Sequence, residues 1–201
     1  MAVLVEHDKR KHEILEKALG LFMEEGYEDV TYQKIADRCG ITRTTLYIYF
    51  KNKREIFIWS IKQLTQLIEQ NLLQILEDTS LSASDCLKKM CMHIIDECEA
   101  NQQLFIVLLD YLLQLQKSGG DCAKRVRRRT VRLEHLMSTI LIRGMQDGQF
   151  KQQRVTDINN VIYNLMQSAI LNLAVLSQTK LDEIRSSICF IIDSITVTQE
   201  N

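Results

Sequence analysis

The sequence predicts an all-α protein, a small N-terminal three-helix unit joined to a larger C-terminal helical domain. Three observations carry this. The 201 residues include no proline and only seven glycines, so the breakers that punctuate β-rich chains are missing. Apolar side chains recur at steps of three and four residues along most of the chain. Capping residues stand where these periodic stretches begin. Hydrophobic residues make up 46% and charged residues 25%, the balance of a globular protein long enough to bury a substantial core.

Taken in order, residues 9–25 place Ile14, Ala18, Leu21 and Phe22 at helical spacing with Leu15 and Leu19 beside them, and Gly26 ends the helix. Thr31 caps the next helix by accepting a backbone N–H, Ile35, Ala36 and Cys39 form its narrow apolar stripe, and Gly40 is a left-handed stop. Thr42 caps a third helix of about two turns, anchored by Leu46 and Phe50. Asn52 with Glu55 reads as a capping box for a long helix to about Leu76. Ser82 with Asp85 opens a helix to about Ala100, and residues 102–117 form another that is apolar nearly all round and so is expected to be buried. Gly119 and Gly120 break the chain before a long helix over 121–146, which Asp147 and Gly148 end. A helix over 156–177 follows, and Thr179 with Asp182 opens the last. The domains are expected to span 1–53 and 54–201.

Helix, short glycine-containing turn and short helix over residues 31–53 make a helix-turn-helix. In that motif the second helix lies in the major groove of DNA with its N-terminal residues at the base edges, while flanking groups hold phosphates. Formal net charge is -1, but its distribution is uneven. Residues 1–30 carry four Lys or Arg against eight Asp or Glu, and residues 31–54 carry six against one. Arg43, the only long charged donor on the short helix, is the candidate for a guanine edge or nearby phosphate. Thr44 and Thr45 offer hydroxyls to phosphate and methyls to thymine, Tyr47 and Tyr49 reach for phosphate oxygens, and Lys53 stands where a helix N-terminus attracts phosphate.

The residues Ile14, Leu15, Ala18, Leu19, Leu21, Phe22, Gly26 and Tyr27, then Thr31, Ile35, Ala36, Gly40, Ile41 and Thr42, then Thr45, Leu46, Tyr47, Tyr49, Phe50, Lys51, Asn52 and Lys53 form a pattern. It resembles the DNA-binding domain of the TetR family of bacterial regulators over residues 10–57. The resemblance implies a homodimeric transcription regulator, usually a repressor, with a helical C-terminal domain that binds a small ligand and dimerises. It carries DNA contacts onto Thr31, Thr42, Arg43, Thr44, Tyr47, Tyr49 and Lys53. Many members have glycine where Thr44 stands and a second tyrosine where Ile48 stands, so no relative's operator sequence transfers to this chain.

The last two helices repeat apolar residues in a coiled-coil rhythm, Leu181, Ile184, Ile188, Ile191 and Ile195 on one and Ile162, Met166, Ala169, Leu173 and Leu176 on the other. Paired across two subunits they would form a four-helix bundle, the way the family dimerises. A two-fold dimer sets two reading helices about 34 Å apart on a palindromic operator. A ligand cavity is expected among Trp59, Met90, Phe105, Leu109, Met137, Tyr163 and Met166. Asp110, inside an apolar run, is expected to pair with an arginine or to meet a cationic ligand. The architecture that the resemblance implies sets the turn before the 121–146 helix near the DNA-binding domain, so the six basic residues within 124–132 are expected to attract flanking DNA or pair with the acidic first helix.

Other classes fit less well. Six cysteines contain no C-x-x-C pair and no alternation with histidine, so neither a zinc site nor another cofactor is expected. No Ser-His-Asp or Cys-His arrangement or phosphate-cradling glycine loop stands out, so an enzyme is not expected. Without a signal segment or a long apolar run the protein is expected in the cytoplasm. An all-helical adaptor, its basic stretch meeting acidic partners, is the alternative to a DNA-binding regulator released by a small-molecule ligand.

Overall fold

Each capping residue of the N-terminal unit opens a helix in the computed structural model, which describes residues 2–176 and 178–197, with the backbone alone at 2–5, 122–126 and 128–130. Among these residues the chain forms α1 (Ala2–Glu25), α2 (Tyr32–Cys39), α3 (Arg43–Tyr49), α4 (Lys53–Glu77), α5 (Ala83–Ala100), α6 (Gln102–Lys117), α7 (Cys122–Gln146), α8 (Val155–Ala174) and α9 (Asp182–Ile195). An antiparallel bridge between Phe150 and Thr196 joins the loop after α7 to the end of α9. No described helix is long and apolar enough to cross a membrane.

The chain divides into two units, Met1–Ile68 and Glu69–Asn201. The division falls inside α4 rather than at its start, because the first turns of α4 belong to the core of the first unit. Ile56 and Phe57 are fully buried there, and Phe57 meets Phe22 edge-on with ring centroids 4.9 Å apart.

In the first unit Thr31 accepts the Lys34 N–H at 3.2 Å and Thr42 accepts the Thr45 N–H at 3.1 Å, so both hydroxyls satisfy helix-end donors. Gly40 takes φ 67°, a left-handed turn that costs glycine nothing and strains any residue with a Cβ. It lets α3 turn back so that Leu46 reaches the core at 0% exposure. The Asn52 carboxamide accepts the Glu55 N–H at 2.8 Å, and Glu55 reaches back to the Lys51 N–H at 2.6 Å, one residue before the position a standard capping box would use.

In the second unit α5 lies centrally, packed on α6, α7, α8 and α9. Ser82 caps it, accepting the Asp85 N–H at 3.0 Å. Thr179 does not cap α9; Leu181 is its first flanking residue, and its N–H donates to the Glu99 carboxylate at 2.9 Å. A carboxylate from α5 therefore replaces the local capping side chain. Arg185 on α9 then bridges Asp96 at 2.8 Å and Glu99 at 2.9 Å.

Two expectations change here. Helix α6 buries only Leu104, Val107 and Tyr111, while Ile106, Asp110 and Leu113 are exposed at three- and four-residue steps. Apolar residues on its outer stripe hide that polarity in the sequence. The coiled-coil seam also faces inward. Eight of the ten residues of the expected seam, Ile162, Met166, Ala169, Leu173, Leu181, Ile184, Ile188 and Ile195, are buried within their own protomer, Ile191 is half-buried and Leu176 is exposed. The rhythm marks the widest apolar face of each helix, and that face is taken by the domain's own core.

Candidate nucleic-acid interface and ligand domain

Helix α3 offers one face to solvent. Arg43, Thr44, Tyr47 and Ile48 are exposed, whereas Leu46 is buried and Thr45 and Tyr49 are half-buried. Arg43 and Thr44 thus stand at the free N-terminal end of the helix, where a motif of this kind approaches base edges. Tyr47 is 52% exposed with its ring stacked on Tyr32, centroids 4.6 Å apart. Tyr32 in turn donates its hydroxyl to the Phe50 carbonyl at 2.7 Å, and burial pushes its phenol up to about 12. The Tyr32 ring is therefore a neutral, fixed support for Tyr47. Sequence reasoning missed it, because its hydroxyl partner lies 18 residues along the chain.

The remaining expected contacts divide. Thr31 and Thr42 are exposed and their hydroxyl oxygens accept backbone N–H groups, which leaves the hydroxyl hydrogens for other acceptors. The Thr42 and Thr45 hydroxyl oxygens are 2.9 Å apart, and either hydroxyl can donate to the other. Tyr49 is half-buried and stacks on His7 with centroids 4.7 Å apart. Lys53 departs furthest from expectation. Its ammonium donates to the carbonyls of Tyr27 at 2.7 Å and Glu28 at 3.1 Å and lies over the Tyr27 ring, so the charge is spent on the turn after α1.

The acid of α1 is matched inside the same unit. Glu24 pairs with Arg38 and Glu25 with Lys34, at 2.5 Å in each case, and the Arg38 guanidinium lowers the Glu24 carboxyl below its ordinary value. The expected pairing of α1 with the basic run of 124–132 is not needed to explain these two carboxylates. Within that run Arg127 and Arg132 are exposed and Arg132 pairs with Glu69; the side chains of Lys124, Arg125, Arg128 and Arg129 lie outside the described residues.

The residues expected to line a ligand cavity divide between the two units. Trp59 belongs to the first unit, where Lys11 and Lys62 stand over its ring. Met90, Met137 and Met166 are buried in the second unit, and Phe105, Leu109 and Tyr163 are half-buried there. Asp110 is exposed and accepts a hydrogen bond from Gln114 at 3.2 Å, so the costly buried carboxylate inferred from its neighbours does not exist. Asn159 is a buried polar group that pattern reading overlooked. Its amide donates to Ser138 at 2.6 Å, tying α8 to α7.

On the outer side of α8 and α9 a shallow groove is lined by Val161, Leu165, Ser186, Ser187, Phe190 and Ile191. Phe190 is 70% exposed and Val161 43%. Contiguous exposed apolar surface of this kind marks interaction sites.

Known proteins resemble this chain in sequence and in fold. A family model described as bacterial regulatory proteins, tetR family, matches residues 14–58, from the core face of α1 to the first turns of α4. The fatty acid metabolism regulator protein of Bacillus subtilis (strain 168) is 27% identical over 144 residues, which is 70% of each chain. A TetR transcription regulator from Haloarcula marismortui ATCC 43049 has the same fold, with TM-score 0.84 and 17% identity over 94% of this chain and all of that one. So does a transcriptional regulator FadR from Bacillus subtilis in complex with stearoyl-CoA, with TM-score 0.70 and 22% identity over 90% of this chain and 96% of that one.

Proposed function

We propose that the chain, whose residues 14–58 match the TetR family model and whose fold is that of a TetR regulator, is a homodimeric DNA-binding repressor that leaves its operator when a ligand binds the second unit. The observation that carries the DNA side is the single exposed face of α3, with Arg43 and Thr44 at its open end. Arg43 reads a guanine edge and Tyr47, braced by Tyr32, reaches a phosphate. A palindrome follows from two-fold symmetry.

The dimer surface is the outer groove of α8 and α9 rather than the coiled-coil seam. Its support is the bare Phe190 with Val161, Leu165 and Ile191 around it and the exposed Ser186 and Ser187 of α9, small side chains that leave room for a second copy. A self-complementary patch of this kind closes as a two-fold pair.

For the ligand we infer a long-chain acyl thioester of coenzyme A. One relative is named for fatty acid metabolism, and a protein of the same fold holds stearoyl-CoA. The chain's own support is the trio Met90, Met137 and Met166, buried on three helices of the second unit. Thioether side chains repack readily around an inserted apolar chain. Helix α4 supplies residues to both units without a break, so a ligand that favours one arrangement of the second unit shifts the reading helices through it.

Selection of duplexes from a random pool tests the first part, and palindromic winners are expected. Titrating the selected complex with stearoyl-CoA, coenzyme A and stearate tests the second, with release by the thioester alone. A pool that yields no preferred sequence overturns the DNA reading. Preferred sequences that no acyl thioester releases overturn the ligand class only.

A further inference from the structure

Ile48 is 69% exposed, and among the described large hydrophobic side chains only Phe190 stands more open. Its place on α3 gives that exposure meaning. At 100° per residue, Arg43, Thr44, Tyr47 and Ile48 fall within an arc of about 140°, and all four are exposed. Thr45, Leu46 and Tyr49 occupy the opposite arc and turn toward the unit's own interior. Ile48 therefore shares the face of the two residues at the reading end, one turn beyond Thr44.

Its branching and its braced neighbour set the geometry of this face. Tyr47, next to it on the same face, is fixed by its stack on Tyr32. A β-branched side chain in a helix has essentially one χ1 rotamer, so the two methyl-bearing branches of Ile48 point in a set direction. A polar residue would be solvated here at no cost, and an isoleucine gains only where it meets another apolar group. In the major groove the unmodified bases offer donors and acceptors everywhere but a single kind of protruding apolar group, the 5-methyl of thymine.

We propose that Ile48 is a specificity-determining residue that packs on a thymine 5-methyl group in each half of the operator. This rests on the DNA-binding reading above and adds a preferred base to it. Arg43 selects by hydrogen bonding at the tip of the helix, and Ile48 selects by apolar contact one turn on, where a cytosine in place of thymine presents an amino group that isoleucine leaves unpaired.

The experiment uses the full-length protein and a duplex recovered from the random pool. Each thymine is replaced in turn by deoxyuridine, which deletes the methyl and keeps every hydrogen-bonding group. Wild-type protein is expected to bind about fourfold more weakly at one thymine per half-site, the worth of one buried methyl-sized group. Ile48→Ala is expected to bind the parent duplex more weakly and to show no further loss at that thymine, while Thr44→Ser keeps the wild-type loss. Because Ile48 is exposed, the variant should unfold at the wild-type temperature, which circular dichroism checks. The proposal is overturned if no thymine is sensitive, if the sensitivity survives Ile48→Ala, or if Thr44→Ser removes it instead. Each of these leaves selective DNA binding standing, so it is distinct from a failure to select any duplex.

Discussion

Replacing Phe190 with alanine separates the two faces that α8 and α9 offer. Phenylalanine presents roughly 200 Å², and at 70% exposure about 140 Å² of it meets solvent in each protomer. At about 25 cal/mol per Å², full burial against a second copy contributes about 3.5 kcal/mol per protomer, and two-fold symmetry counts it twice. Even half of the total weakens the dimer several hundredfold. Sedimentation equilibrium over a range of concentrations reads this directly, and thermal unfolding should show the fold of the protomer little changed. DNA affinity should fall with the dimer, because a single reading helix discriminates poorly. Ile188→Ala is the contrasting variant: its side chain is at 0% exposure, so it should cost about 2–4 kcal/mol of folding stability through a cavity in the domain core. A Phe190→Ala protein with an unchanged dimer constant would refute the assignment of the outer face.

Further outcomes follow from the same contacts. Thr42→Ala removes the acceptor for the Thr45 N–H and should lower the stability of the first unit by about 1 kcal/mol, seen as a lower denaturant midpoint with DNA affinity reduced alongside. Tyr32→Phe loses the hydrogen bond to Phe50 and should cost about 1 kcal/mol near neutral pH. Since the folded phenol is raised to about 12, wild-type stability from this group is whole below the ordinary tyrosine value near 10 and fades as pH rises through about 12. The difference between wild type and Tyr32→Phe should therefore shrink in that alkaline window and hold constant below it. Arg185→Met breaks the bridge to Asp96 and Glu99 and should destabilise the second unit by about 1–3 kcal/mol, measured by chemical denaturation at moderate salt.

Where the sequence alone was sufficient, the signal lies within a few residues of its effect. Thr31, Gly40, Thr42, Asn52 and Ser82 each act on a backbone group no more than four positions away, so the helix-turn-helix and the starts of α2 to α5 can be read directly from the chain. The caps that set the ends of α3 also fix which residues share a face, and Arg43, Thr44 and Tyr47 are exposed together on one of them.

Tertiary packing decided everything that depends on what covers a face. Leucine and isoleucine look alike whether they meet their own core or a second copy, so the seam through Ile162 and Ile188 and the bare surface at Phe190 are distinguished only by which helices pack behind them. The Leu181 N–H finds Glu99 across 82 residues and Lys53 finds Tyr27 across 26, and no periodicity in either helix announces such partners. Asp110 stands among apolar residues in the sequence yet faces solvent in the fold, because α6 turns that stripe outward. Chain-local chemistry sets the helices and their ends, whereas the burial of any one face is a sum over distant elements that only the folded chain assembles.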